Sequence, residues 1–327
     1  MDGEQQELQF LGFFGILKES FKIIVSWRKI FSQITLAFIL PLSFLFLAHI
    51  QISQVLFFKI EDSLEYGNGL HHKNSHKISS EWIAFWLFKI AYFIVLLILS
   101  LLSTSAVVYT IACIYTSKPI TFKKVMSVVP RVWKRLMVTF LWSFAIVFIY
   151  NVIAAAVIIL WVVLHGGNTV FGVVIFVLLL IFYSVGFLYI TIIWHLASVI
   201  SVLEEIYGIK AMIKSRNLIK GKLGVAVALF ILLGICFGGI QLLFEAFVVL
   251  EWPQDLGIRI GIGILCFLLL FKVILFWLVI QTVLYFVCKS YHHENIDKPS
   301  LSDHLDAYLL GYAPLKAANV RMEQLQA

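Results

Sequence analysis

Six stretches of the chain are almost entirely apolar over at least twenty residues, and they leave little freedom in the choice of fold. An α-helix of roughly 20 apolar residues is long enough to cross the hydrocarbon core of a bilayer. We place the spans, in chain order, at about Ile30–Phe58, Trp82–Tyr115, Leu136–Leu164, Thr169–Leu203, from Leu223 to the turn at Trp252-Pro253, and at Leu256–Tyr291. Charged residues make up only 13% of the chain, roughly half the share of an average soluble domain. The sequence therefore predicts an all-α, multi-pass membrane protein with six transmembrane helices.

Lysine and arginine residues are concentrated at one set of span ends. Most of the 25 precede the first, third and fifth spans or follow the sixth, and the connections within each pair of spans carry few. Basic loops remain on the cytosolic side of a membrane, so we expect both termini in the cytosol. The membrane is one of the endomembrane system or the plasma membrane. The net charge of +7 needs no nucleic acid, because a nucleic-acid partner calls for a basic stripe on a soluble fold.

Each of the three basic segments that precede a span has features of an amphipathic helix at the membrane interface. In the first, apolar residues from Phe10 to Ile24 recur at spacings of three and four, whereas Lys18 and Lys22 fall on other faces. Such a helix buries its apolar face at the acyl boundary and places its lysines among anionic headgroups. The candidate headgroup contacts of the second and third segments are Lys123, Lys124, Arg131, Lys134, Arg135, Lys210, Lys214, Lys220 and Lys222.

The order of basic helix, span, turn and second span occurs three times. The segments 16–31, 122–137 and 209–224 align without gaps, each at the entrance to a span. We therefore expect a membrane domain over residues 1–291, followed by a polar cytosolic tail over residues 292–327. Its parallel repeats are predicted at about 10–116, 117–203 and 204–291. Inverted repeats would have favoured an alternating-access transporter.

A short motif in the third basic segment suggests a family. It reads Ala-x-x-x-Ser-x-x-Leu-x-x-Gly, and its residues are Ala211, Ser215, Leu218 and Gly221. Over the whole segment 208–222 and most of the chain, including the tail segments 292–297 and 305–315, the sequence resembles a plant family of multi-pass membrane proteins of unknown function. Some members of that family are labelled by their interaction with a polyadenylate-binding protein. In membrane layout, and in this motif at the entrance to a span, the chain is more distantly similar to the membrane domain of some bacterial glycerophosphodiester phosphodiesterases. Their catalytic barrel is absent from this chain, so that resemblance implies no hydrolase activity.

Lys272 is the most costly residue of the spans. It lies near the middle of the sixth span, where a cation costs about 2.5–3.5 kcal/mol on insertion scales. This cost favours a position facing the bundle, with Asn151 or His195 as the nearest polar partner. Lys272 is then either a substrate or proton site or a structural polar lock between spans.

Two further charged residues lie within spans at similar depths. Glu245 and Lys89 are each a few residues inward from the outer surface and could pair across spans two and five. Lys89 could equally extend to the outer headgroups. The spacings Gly234-x-x-x-Gly238 and Gly257-x-x-x-Gly261 permit close helix packing, within the chain or between subunits.

No sequence pattern indicates a catalytic, cofactor or metal site. Nucleophile elbows, zinc-protease motifs and phosphate-binding glycine loops are missing, and His71, His72 and His76 are expected to be solvated loop residues. Glu204 and Glu205 would counter the lysines that follow them or receive the basic end of another unit. The first hypothesis is a non-catalytic membrane protein that binds anionic lipid through its basic helices and a protein partner through its tail. The alternative is a transporter or channel for a small solute or lipid, with Lys272 as its functional residue.

Overall fold

The structure is a computed structural model and describes residues 9–67, 75–118, 120–165, 170–250 and 255–292. Within these ranges the chain is helical and contains no strand. Six of the described helices are long and apolar enough to cross a membrane, so the prediction of an all-α, six-span membrane protein is confirmed. Of the three histidines predicted to lie in a loop, those at 71 and 72 are outside the described ranges, whereas His76 belongs to the helix Ser75–Tyr115, so the loop assignment is wrong for it. The prediction of a short helix from Ser302 also concerns residues outside the described ranges.

The helices follow the predicted order. The first span consists of α2, a π-helical turn and α3, and the fifth span is α8 continued by a second π-helical turn. The bounds are α1 Phe13–Ser26, α2 Arg28–Ile34, the first π-helical turn Thr35–Ile39, α3 Leu40–Gly67, α4 Ser75–Tyr115, α5 Phe122–His165, α6 Val170–Leu203, α7 Ile209–Leu218, α8 Leu223–Phe244, the second π-helical turn Glu245–Val249, and α9 Leu256–Tyr291.

The second basic segment is continuous with the third span, although it contains a proline. Pro130 lies inside α5, where it removes a backbone hydrogen bond at a cost of about 3 kcal/mol. The neighbouring Val125, Val129 and Val132 are buried against the bundle. Each buried valine contributes about 1.5 kcal/mol or more, so packing outweighs the loss and the helix passes through the proline.

The first span is interrupted directly before its proline. The π-helical turn Thr35–Ile39 ends just before Pro41, and the backbone N–H of Leu40 donates to the carbonyl of Thr35. Such a turn occurs where the regular helical hydrogen-bond ladder is broken. The missing N–H of Pro41 breaks that ladder, so the local disturbance expected from the sequence takes the form of a widened turn.

The main hydrophobic core lies at the end of the bundle that contains α1, α7 and the N-terminal part of α5, which we call the basic end. Every residue of α9 from Leu278 to Cys288 is buried, which means that this part of the helix is surrounded on all sides. At the opposite end the spans are exposed on most faces, as Val163 and Phe182 illustrate. Exposed apolar residues in such number are suited to contact lipid.

Consecutive spans pack against each other as pairs, one with two, three with four and five with six. α1 packs on the sixth span, and α7 packs on the fourth. A smaller core joins the first, fifth and sixth spans nearer the opposite end, where Leu47, Phe244 and Leu270 are buried together. The predicted threefold repeat remains a prediction.

Candidate functional site

The 211–221 motif packs α7 against the rest of the bundle. Its two apolar members are buried: Ala211 and Leu218. Ser215 is buried as well, and its hydroxyl donates a hydrogen bond of 2.8 Å to the carbonyl of Ile193 in the fourth span. Gly221 has a φ of +89°, and a Cβ atom there would collide with the ring of Tyr291. Packing and backbone geometry therefore account for each residue type in the motif.

Glu204, directly after the fourth span, accepts from three groups on two other helices, and we call these four side chains the Glu204 cluster. Its Oε1 accepts from the hydroxyl of Tyr285 at 2.7 Å and from the ammonium of Lys289 at 3.2 Å. Its Oε2 lies 2.8 Å from the ammonium of Lys214. Of the two roles predicted for this acid, the ion pair with Lys214 shows that it counters a lysine that follows it.

The cluster keeps the acid charged. Burial favours the neutral carboxyl and by itself would raise the pKa of Glu204. The hydrogen bond from Lys214, the charge of Lys289 and the hydroxyl of Tyr285 act in the opposite direction, and together they hold the pKa below its ordinary value of 4.5. One buried anion therefore fixes α7 and the sixth span to the end of the fourth span.

A concave surface beside this cluster, which we call the α7 site, combines cations with apolar side chains. It has a volume of about 410 Å³. Its lining residues are Ile206, Lys210, Ile213, Lys214, Asn217, Leu218 and His292. Lys210 is exposed and forms no ion pair with any described acid. The site can therefore bind an anionic group at its rim and apolar atoms on its floor.

His292 closes one side of the α7 site. Its Nε2 lies 3.0 Å from the carbonyl oxygens of both Leu218 and Lys220, so this nitrogen carries the proton and donates to both. The last carbonyls of a helix have no partner within the helix itself, and His292 satisfies that of Leu218, the last residue of α7. The start of the predicted tail is thereby fixed to the third basic segment.

The other predicted headgroup contacts lie at the same end. On α5, Lys123, Lys124, Arg131 and Lys134 are exposed and Arg135 is half-buried. On the third segment, Lys220 bonds to the side chain of Asn217 at 3.1 Å. Lys222 lies 3.4 Å from the carbonyl of Leu11 and over the ring of Tyr291. The structure thus brings all nine cations to the basic end, with Lys214 and Lys222 engaged inside the protein.

His195 is placed in the middle of the bundle. Its Nδ1 donates to the amide oxygen of Gln281 at 2.8 Å, and Gln281 is buried. The ring packs against Trp194, Phe230 and Trp277. This contact joins the fourth span to the sixth.

Asn151 joins the third and fourth spans. Its amide oxygen accepts from the hydroxyl of Tyr183 at 2.8 Å, and its amide nitrogen donates to the carbonyl of Val147. Tyr150 completes the contact by donating to the backbone carbonyl of Tyr183 at 2.9 Å. These bonds hold the two spans together where their other faces are exposed.

Lys272 is exposed on the side of the sixth span that faces away from the bundle. This position differs from the sequence-based prediction that Lys272 faces the bundle. Its side chain is exposed and forms no hydrogen bond or ion pair with any residue in the described ranges. The reason is that Cys266 and Leu270 define the buried face of this part of the sixth span, and Lys272 projects from another face. Asn151 and His195 are bonded to other residues, so the predicted partnership is wrong.

Lys89 does not pair with Glu245. Its ammonium donates to Nε2 of His49 at 2.9 Å and to the hydroxyl of Ser53 at 2.8 Å, whereas Glu245 is exposed. Sequence reasoning missed the partner helix. The available signal was the spacing of four residues between His49 and Ser53, which places both on one face of the first span.

A cavity of about 350 Å³ lies between the spans above the packed core. We call it the interspan cavity, and it is lined by residues of the first, second, fourth, fifth and sixth spans. Those that define its ends and walls are Phe46, Tyr92, Leu96, Ser100, His195 and Trp277. Its surface is mostly apolar, and Lys272 is not part of it.

The glycine spacings of the fifth and sixth spans are not used for close packing within the described part of the chain. An added Cβ would meet nothing within 4 Å at Gly234, Gly238 or Gly261. Of the two alternatives, packing within the chain is therefore not seen at these positions. Packing between subunits stays a prediction.

Comparison with known proteins assigns the chain to a family. A model described as a domain of unknown function, DUF8558, matches residues 1–325. No curated protein and no solved structure matches the chain. The resemblances to plant proteins and to a bacterial membrane domain stay predictions.

Proposed function

The chain belongs to the DUF8558 family, and because the function of that family is unknown, we propose a function from the residues of the chain. It is a non-catalytic integral membrane protein whose basic end binds anionic lipid headgroups. The basic end faces the cytosol, since cytosolic loops retain lysine and arginine and the cytosolic leaflet carries the anionic lipids.

The α7 site carries this proposal. Lys210 at its rim is exposed, and Asn217 offers amide donors beside it. The floor of Ile206, Ile213 and Leu218 suits the glycerol and first acyl carbons of a lipid. A phosphate at the rim would be held by charge and by hydrogen bonds, which is the form of recognition that ammonium groups give to phosphate.

The exposed lysines of α5 extend the cationic surface beyond the α7 site. Each cation close to an anionic membrane surface contributes about 1 kcal/mol. The buried faces of α5 and α7 fix these lysines to the bundle, so binding requires little ordering of the backbone. On α1, Phe14 and Phe21 are exposed on the face that points away from the bundle. They are suited to enter the acyl boundary.

The tail from residue 292 onward is the proposed site of a protein partner. His292 fixes its start beside the α7 site, so a partner bound to the tail would act next to the lipid-binding surface. The resemblance to the plant family supports a protein partner here. It does not identify one.

The test uses native mass spectrometry of protein released from nanodiscs with equal amounts of phosphatidylserine and phosphatidylcholine. We expect the wild type to retain phosphatidylserine preferentially. The double variant Lys210→Gln/Lys220→Gln changes the exposed lysine of the site and the lysine bonded to Asn217, and it should lose part of this preference. Lys59→Gln, an exposed lysine at the opposite end, is the matched control. Equal retention of both lipids by the wild type would refute the proposal.

The transporter alternative receives no support from Lys272, which was its proposed functional residue. That side chain faces away from the bundle and is not part of the interspan cavity.

A further inference from the structure

Two facing helices carry matching stripes of side chains at the interspan cavity. On the second span, Lys89, Tyr92, Leu96 and Ser100 are separated by three or four residues and therefore lie along one face. On the first span, the stripe is Leu42, Phe46, His49 and Ser53. In both stripes, the polar residues lie toward the end of the bundle that is opposite the basic end. The apolar residues lie toward the main hydrophobic core.

The polar end of the stripes is a cationic cluster with donors to spare. Lys89 uses two of its three N–H groups on His49 and Ser53. An ammonium group can only donate, so Nε2 of His49 accepts and its Nδ1 carries the proton. The ammonium of Lys89 also lies 5.2 Å from the centroid of the Phe85 ring, but no oxygen or nitrogen of the described residues accepts from its third N–H or from the Nδ1–H of His49.

The cationic cluster and the cavity adjoin each other. The ring of His49 stacks on the ring of Tyr92 with centroids 3.6 Å apart, and Tyr92 is a wall of the interspan cavity. From there the cavity continues along Leu96 and Ser100 to His195. The cation and the apolar cavity therefore lie side by side, with Tyr92 in contact with both, and we call the two together the groove.

We propose that this groove binds a single-chain amphiphile with an anionic head, namely a long-chain carboxylate. The carboxylate accepts from Lys89 and His49, and the alkyl chain occupies the interspan cavity. This site is at the opposite end of the bundle from the α7 site and is independent of the proposed function.

The dimensions fit one chain. Eleven residues separate Lys89 from Ser100, which is roughly 16 Å along a helix and close to half of a hydrocarbon core of about 30 Å. The volume of about 350 Å³ is at the lower end of the range of roughly 300–1,000 Å³ for small-molecule sites. A lipid with two chains would need a second groove for its second chain.

The charge of the head is the feature that the groove selects. Within a bilayer, a cation on a span is costly unless it is paired, and a bound carboxylate supplies the missing charge. A long-chain alcohol has the same chain and lacks that charge, so it is the comparison ligand.

The experiment uses the full chain in nanodiscs at pH 8.5, with a photoactivatable palmitate that carries a diazirine on its chain. Palmitate and hexadecanol compete for labelling. We expect palmitate to compete about tenfold better than hexadecanol, as expected for a hydrogen bond between charged groups, with the label on the residues of the interspan cavity. No preference for palmitate, or labelling elsewhere, would overturn the proposal, as would competition by a lysophospholipid but not by palmitate.

Two variants test the binding of the carboxylate head and of the alkyl chain separately. Lys89→Met should remove the preference for palmitate and keep the binding of hexadecanol, which also shows that the variant is folded. Leu96→Trp should fill the cavity and abolish labelling, whereas Leu87→Trp, on an exposed face of the same helix, should leave it unchanged. A Lys89→Met protein that still prefers palmitate, or a Leu96→Trp protein that is still labelled, would contradict the assignment.

Discussion

Replacing Glu204 by alanine removes an anion that joins α7 and the sixth span to the fourth span. The side chain of Glu204 is 13% exposed, and its partners Lys214 and Lys289 are 27% and 19% exposed. After the substitution, two partly buried ammonium groups and the hydroxyl of Tyr285 lose their contacts with the Glu204 carboxylate.

The expected loss of stability is large for one side chain. Removing one partner of a buried ion pair costs about 3–5 kcal/mol, and each hydrogen bond to a charged group contributes about 1.5–3 kcal/mol. The contributions are not additive because they share one carboxylate, and the lysines recover some hydration through their exposed parts. We therefore expect a decrease of about 2–4 kcal/mol in the free energy of unfolding.

The assay is thermal unfolding of purified protein in detergent, followed by intrinsic tryptophan fluorescence. Glu205→Ala is the matched control, because Glu205 is adjacent and exposed. A surface substitution of this kind changes stability by about 0.5 kcal/mol or less. Glu204→Gln keeps the shape of the side chain and loses the charge, so it should fall between the alanine variant and the wild type.

A double-mutant cycle with Lys214→Met distinguishes the ion pair from other effects of truncation. If the two residues act together, the double variant is less destabilised than the sum of the single variants by about 1 kcal/mol or more. Additive effects, or equal melting temperatures for Glu204→Ala and Glu205→Ala, would refute the role assigned to the Glu204 cluster.

The Glu204 cluster also predicts a pH dependence, and two other sites predict local losses of stability. Because the pKa of Glu204 is lowered on folding, the contribution of its charge to stability is present above the unfolded pKa of about 4.5 and is lost as the pH falls below that value. In an acid titration, the melting temperature of Glu204→Gln should therefore decrease less than that of the wild type. Gly221→Ala should cost about 1–3 kcal/mol because of its positive φ. Gly224→Ala, where an added Cβ meets nothing within 4 Å, should be neutral or slightly stabilising in the same melt, and equal effects would contradict the backbone argument. Tyr183→Phe removes the hydrogen bond to Asn151 and should cost about 0.6 kcal/mol, the average for such bonds between spans, measured by unfolding in detergent, and no change would show that this bond does not hold the two spans together.

The position of the spans could be predicted because it depends on local composition alone. The fourth span ends at Leu203, as predicted, and the sixth runs from Leu256 to Tyr291 in both the prediction and the structure. A run of apolar residues that long has no stable alternative in a bilayer. The same argument found Lys272 and Lys89 as costly residues within spans.

The partners of these residues could not be predicted, because they depend on how each helix is rotated in the bundle. The spans are apolar on every face, so their sequences carry little amphipathic signal that would show which face is buried. Lys272 projects outward and Lys89 meets His49 for this reason. In contrast, the ion pair of Glu204 with Lys214 could be predicted, since both residues lie in one short segment next to a span end.

The most direct test of the account is the composition of the lipids that surround the protein at its basic end. The protein is extracted from vesicles of known phosphatidylserine and phosphatidylcholine content with its adjacent lipids, which are then quantified. The variant for comparison carries glutamine at four exposed positions: Lys123, Lys124, Lys134 and Lys210. At about 1 kcal/mol per cation near the surface, the account predicts several-fold enrichment of phosphatidylserine around the wild type and a ratio close to that of the vesicles for the variant. A wild-type ratio equal to that of the vesicles would contradict it.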